Sequence, residues 1–154
     1  MTRPSLFFEP ATAADRTVAE SAATSIGARR ILVAEDHPGM LQLIARALRR
    51  QGHEVLLARD GKELMQWVHL LARWDDRVPL ADLIVTDLRM PDFSGQDCLE
   101  HLRIVGNPTP VILITAFGSD DVHREALAKG ARAVLDKPLQ LDDLCDLVRR
   151  HLPR

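Results

Sequence analysis

The chain has no tyrosine, two tryptophans, four phenylalanines and only two cysteines in 154 residues. Cys98 and Cys145 are too few and too far apart for a disulfide framework or a cysteine-based metal site, so both read as reduced, packed thiols of a cytoplasmic protein. Neither sign of charge dominates. Twenty Lys and Arg face 22 Asp and Glu, a net charge of −2, which removes the basic surplus that direct nucleic-acid binding would call for. No apolar run approaches the roughly 20 residues of a membrane span. The N-terminus lacks the basic start and apolar stretch of a secretory leader. The six histidines form no paired-ligand pattern such as HExxH and read as surface or helix-end residues.

The length suits one domain with a tail. Residues 1–29 are rich in Ala, Ser and Thr, carry charges that cancel, and have weak apolar periodicity, so they read as a flexible tail. Leu6-Phe7-Phe8 is a small apolar knot within it, read as incidental rather than as a docking element. From residue 30 to 154 the pattern changes to short apolar strands alternating with amphipathic helices, the signature of a parallel sheet covered on both faces. Strands are expected near 31–35, 54–58, 82–86, 111–115 and 132–135. Helices are expected after Pro38 up to Gly52, after an Asp60–Glu63 capping box, after Gly95, between Ser119 and Gly130, and over 141–151. The stretch from Trp67 to Ala81 is expected to extend the second helix and add a loop. Trp74 there reads first as a ring over the local core, with a partner anchor as the alternative.

Four of the apolar strands end in chemistry. Ile31-Leu32-Val33-Ala34 runs into Glu35-Asp36, Leu83-Ile84-Val85-Thr86 into Asp87, Val111-Ile112-Leu113-Ile114 into Thr115, and Ala133-Val134-Leu135-Asp136 into Lys137-Pro138. The carboxyl edge of a parallel sheet is where α/β proteins place ligands. Carboxylates ~5 Å apart at an effective dielectric near 20 repel by on the order of 3 kcal/mol per pair. A hard divalent cation with oxygen ligands, Mg²⁺ above all, relieves that repulsion. Glu35, Asp36 and Asp87, with the backbone carbonyl of Arg89, are candidate ligands. Lys137 can pair with Asp87 and hold a phosphoryl oxygen, and Thr115 can donate to another. Asp87 is then equipped to attack phosphorus. Taken singly, Glu35-Asp36 could be a solvated loop start, Asp36 a helix cap and Lys137 an ordinary surface lysine. Together, in this order, they are not independent accidents.

With these residues in place the chain, over about residues 30 to 151, resembles the receiver domain of two-component response regulators, specifically a stand-alone one. The carriers are Glu35-Asp36, the run Thr86-Asp87-Leu88-Arg89-Met90-Pro91-Asp92-Phe93-Ser94-Gly95, Thr115-Ala116-Phe117-Gly118 and Lys137-Pro138. The resemblance implies a flavodoxin-like (βα)5 doubly wound parallel sheet of strand order 2-1-3-4-5. It implies transfer of a phosphoryl group to Asp87 from a sensor histidine kinase or phosphotransfer protein, with Mg²⁺ required. It also implies a cis Lys137-Pro138 bond and a protein target on the face of the fourth helix, fifth strand and fifth helix. The chain would be a signalling switch with weak self-phosphorylation and autodephosphorylation, not an enzyme in the usual sense. A homodimer stays open, and neither nucleic acid nor membrane is an expected direct partner.

One departure stands out. The family usually has an aromatic three residues before the lysine, where this chain has Val134. The switch is expected to run from Thr115 through Phe117 and Val134 in some altered form. Arg89 and Phe117, two past Asp87 and Thr115, carry no acid or amide to orient water, so the phosphoryl-aspartate is expected to be long-lived. Other readings remain. A phosphohydrolase with Asp87 as nucleophile would want an acid where Arg89 stands. A flavin carrier would want a hydroxyl- and glycine-rich loop where Glu35-Asp36-His37-Pro38 is acidic. A binding module that no longer takes phosphate would not need Thr115 and Lys137. Only Leu152-Pro153-Arg154 follow the last helix, so the chain is expected to be a stand-alone receiver, a relay intermediate or a piece of a longer protein.

Overall fold

Central strands of a parallel sheet bury both faces, and so are apolar along their whole length. Three segments carry such apolar runs, broken only by Arg30 at the start of one and by Thr86, Asp87 and Thr115 at the ends of the others, in the computed structural model, which describes residues 28–73 and 80–153. They are β1 (Arg30–Ala34), β3 (Leu83–Asp87) and β4 (Val111–Thr115); every residue of the latter two is buried. β2 (Glu54–Ala58) and β5 (Ala133–Asp136) are only partly buried, as edge strands are. All pairings are parallel, in the order β2-β1-β3-β4-β5. The expected topology is therefore observed.

Alternate residues of each strand feed two separate cores. Leu32, Ala34, Ile84, Val111 and Leu113 pack on one side with α2 (Gly61–Arg73), α3 (Gly95–Val105) and Ala126 of α4 (Asp120–Ala128). Ile31, Val33, Leu83, Val85, Ile112 and Ile114 pack on the other with α1 (Pro38–Arg50) and α5 (Leu141–His151). Each fully buried Ile or Leu contributes roughly 1.5–3 kcal/mol of transfer free energy, so the two-faced burial of β1, β3 and β4 pins the register of the sheet.

The helix starts differ in detail from the sequence expectation. The sequence singles out no cap for α1; His37 supplies it, its Nδ1 accepting from the Met40 N–H at 3.2 Å, with Pro38 in the first turn. At α2, Asp60 accepts from the Glu63 N–H at 2.8 Å, but the Glu63 carboxylate reaches one residue further back, to the Arg59 N–H at 2.7 Å. Ser94 and Asp97 form a reciprocal capping box at α3. Ser119 caps α4 as expected, and Gly130 follows its end at a φ of 108°. β3 begins at Leu83 rather than 82, because the Asp82 carboxylate accepts from the Arg30 N–H at 2.8 Å just ahead of the ladder. β5 begins at Ala133 rather than 132.

The histidines are also less uniform than expected. The rings of His69 and His101 lie 5.0 Å apart on α2 and α3, and His101 Nε2 and His53 Nδ1 are buried with no hydrogen-bond partner. Both cysteines are free thiols; burial pushes the Cys98 thiol up to about 12. The expectations for residues 1–27, including Leu6-Phe7-Phe8, and for Trp74 lie outside the described residues.

Candidate functional site

Parallel strands end on a common edge, and four adjacent ones converge here. Glu35 directly follows β1, and its N–H still donates to the Ala58 carbonyl at 3.1 Å, which holds it in line with the strand. Asp87 ends β3, Thr115 ends β4, and Lys137 directly follows β5. Glu35, Thr115 and Asp87 are all buried, at 1%, 1% and 7% exposure, whereas Asp36 is open to solvent. Carboxylate oxygens of Glu35, Asp36 and Asp87 lie within 4.8 Å of one another.

Lys137 is the counter-charge. Its Nζ donates to Asp87 Oδ2 at 2.9 Å and to Glu35 Oε1 at 3.2 Å. Nζ also lies 3.0 Å from Glu35 Oε2, but without hydrogen-bond geometry, so that buried oxygen has no hydrogen-bond partner. Burial lifts the Glu35 carboxyl above its ordinary range, and the Lys137 hydrogen bond offsets only part of that. Burial pulls the Lys137 ammonium down, but the hydrogen bonds to Asp87 and Glu35 outweigh it and leave the pKa raised. The Lys137–Pro138 peptide is cis, as the resemblance implies.

The turn after β3 is built closely around Asp87. Asp87 Oδ1 accepts from the Arg89 N–H at 3.1 Å, so the Arg89 main chain sits beside the carboxylate. Gly95, first residue of α3, lets that helix approach: a Cβ there would lie 2.6 Å from the Asp87 carbonyl oxygen and 2.8 Å from Leu113 Cδ2. The sequence shows that glycine as a turn residue and gives no sign of the close approach. Thr115 Oγ1 accepts from the Phe117 N–H at 3.2 Å. Phe117 itself points outward, 72% exposed, with the Arg89 guanidinium 6.0 Å above its ring. Val134 is half-buried against the core under α2, α3 and α4. Thr115, Lys137, Asp87 and Glu35 are therefore brought together with Asp36 at the rim, while Phe117 and Val134 lie to either side.

A family model described as "Response regulator receiver domain" matches residues 31–149. The chain belongs to the response regulator receiver domain family. The receiver is 38% identical over 120 residues to the response regulator protein PilR of Pseudomonas aeruginosa, covering 78% of this chain and 25% of PilR. It is 25% identical over 124 residues to the sporulation initiation phosphotransferase F of Bacillus subtilis, covering 80% of this chain and 94% of that protein. Among solved structures it is similar to the signal receiver domain of a putative Luxo repressor protein from Vibrio parahaemolyticus. The TM-score is 0.70 and the identity 29%, over 80% of this chain and 89% of that one. The chain thus spans about a quarter of PilR and nearly all of phosphotransferase F. Membership carries a phospho-accepting role in two-component signal transduction. Among the described residues no helix is long and apolar enough to cross a membrane.

Proposed function

We propose that Asp87 is the residue that takes the phosphoryl group, from a phosphohistidine on a sensor histidine kinase or a phosphotransfer protein. The supporting observation is a nearly buried strand-end carboxylate whose Oδ2 is 2.9 Å from the Lys137 ammonium, with the Thr115 hydroxyl on the neighbouring strand end. An Asp87 oxygen forms a bond to phosphorus. The bond from phosphorus to the imidazole nitrogen breaks, and the imidazole keeps the electron pair. Lys137 and Thr115 bind equatorial phosphoryl oxygens, where negative charge is spread during transfer. Lys137 stays protonated throughout, since its pKa is already raised.

Glu35, Asp36 and Asp87, with the Arg89 main-chain carbonyl, are the residues that would hold Mg²⁺. The donor set is all oxygen, and three carboxylates whose oxygens lie within 4.8 Å of one another share the single Lys137 ammonium, with the buried Glu35 Oε2 held by that ion pair alone and by no hydrogen bond, which fits a hard cation. When bound, the ion neutralises the charge shared by the carboxylates and the phosphoryl oxygens. Output runs through the face of α4, β5 and α5, toward a protein target or a second copy of the receiver; Leu127 of α4 is 48% exposed, and Phe117, in the loop that leads into α4, is 72% exposed. Self-phosphorylation from small donors and autodephosphorylation are weak side activities of the same pocket. Residues 30–154 act as the receiver unit and 1–29 as its tail, and the site of action is the cytoplasm.

The test is labelling by radioactive acetyl phosphate with Mg²⁺. The wild-type chain takes up label that hydroxylamine releases, as an acyl phosphate requires, while Asp87→Asn takes up none. Equal labelling of Asp87→Asn would overturn the assignment.

A further inference from the structure

With Val134 where the family has a ring, the strand end at Thr115 needs another route to α4. Thr115 and Asp136 are register partners on β4 and β5, so their side chains share one face of the sheet. The Lys137 N–H donates to the Thr115 carbonyl at 2.8 Å, tying the two strand ends together. On that face Asp136 Oδ1 lies 2.8 Å from His123 Nε2, one turn into α4. A carboxylate can only accept, so Nε2 carries the proton whether the ring is neutral or charged. The segment that follows Thr115 is wedged against this pair. A Cβ on Gly118 would stand 1.8 Å from Asp136 Oδ1 and 2.8 Å from His123 Nε2. Only a residue with no side chain lets the Thr115–Gly118 segment, the Asp136 carboxylate and the His123 imidazole occupy these positions together.

We propose that the His123–Asp136 pair, seated on Gly118, is the positioning element that passes a displacement of Thr115 to α4 in place of the missing ring. The inference rests on the phospho-acceptor reading above. With Lys137 bonded to Asp87 the pair is closed. Drawing Thr115 toward a phosphoryl group pulls Gly118 off the pair, which hydrates and lets α4 move. Closure therefore favours the unphosphorylated arrangement. By linkage, anything that opens the pair must strengthen binding of a phosphoryl group at Asp87.

The experiment uses the full chain, Mg²⁺ and beryllofluoride as the phosphoryl probe. Its variants are Gly118→Ala and His123→Ala. The added methyl of Gly118→Ala meets only the ends of two side chains, so this variant opens the pair while leaving His123, Asp136 and the backbone path in place. Both variants bind beryllofluoride about two- to fivefold more tightly than wild type, the range expected for a half-exposed pair. In the wild-type chain the probe moves the His123 ring ¹⁵N signals along with the Thr115 amide. If the Thr115 amide moves but the ring does not, or if either variant binds with unchanged or weaker affinity, the relay is wrong and the phospho-acceptor reading survives. If the probe leaves the Thr115 amide unmoved, the phospho-acceptor reading fails and takes the relay with it.

Discussion

Replacing Lys137 with Met keeps most of the side-chain volume and removes the counter-charge shared by Glu35 and Asp87. Three carboxylates whose oxygens lie within 4.8 Å of one another then have no cation among them. At an effective dielectric of 20, each pair at that separation repels by about 3.5 kcal/mol. Asp36 is open to solvent, so most of its share is screened, and the Glu35–Asp87 repulsion dominates. Removing one partner of a buried ion pair typically costs about 3–5 kcal/mol. Lys137 is 22% exposed, which places the expected loss nearer about 2–4 kcal/mol. For a domain of this size that is a fall of about 10 °C in Tm. Mg²⁺ reverses the loss, because the ion supplies the charge that the lysine did. Urea unfolding of wild type and Lys137→Met, with and without Mg²⁺, reads both effects. The variant is less stable without the ion, and it gains more from the ion than wild type does. A variant as stable as wild type, with the same response to Mg²⁺, would refute the charge-crowding argument on which the site rests.

Two further predictions concern lifetime and pH. Arg89 and Phe117 stand beside the pocket with neither acid nor amide to orient water, so the phosphoryl-aspartate decays over minutes or longer once donor is removed; decay within seconds contradicts this. Burial holds the His53 imidazole below its ordinary pKa, with Asp82 opposing only in part. The unfolded chain therefore binds that proton first, so stability is present above pH 6.5 and falls as pH drops from there toward the folded value. Urea midpoints of His53→Gln across this range show a shallower fall than wild type, and parallel curves would exclude His53 as the cause.

Much of this was written in the order of residues. The apolar runs Leu83–Val85 and Val111–Ile114 give central parallel strands because both faces of such strands are buried, and polar residues enter them only at the carboxyl ends, as Thr86, Asp87 and Thr115 do. Acids, a hydroxyl and an amine at the ends of such runs fall on one edge because parallel strands all point one way. For the same reason Glu35, Asp87, Thr115 and Lys137 were legible as a set. Local caps were less legible, because several nearby side chains can serve one helix start. His37 caps α1 through its Nδ1, a role that residue type alone does not single out beside Asp36.

The sequence alone determined which strands are buried, the order of the chemical groups along them and the kind of ion and phosphoryl chemistry they suit. Those properties depend on residue type and spacing. The tertiary structure decided that one lysine serves both buried acids, that one Glu35 oxygen is left without a hydrogen bond, and that Gly118, His123 and Asp136 meet beside Thr115. These are contacts between elements far apart in the chain. Their existence depends on how the helices seat against the sheet, to within an ångström, and no periodicity along the sequence encodes that distance.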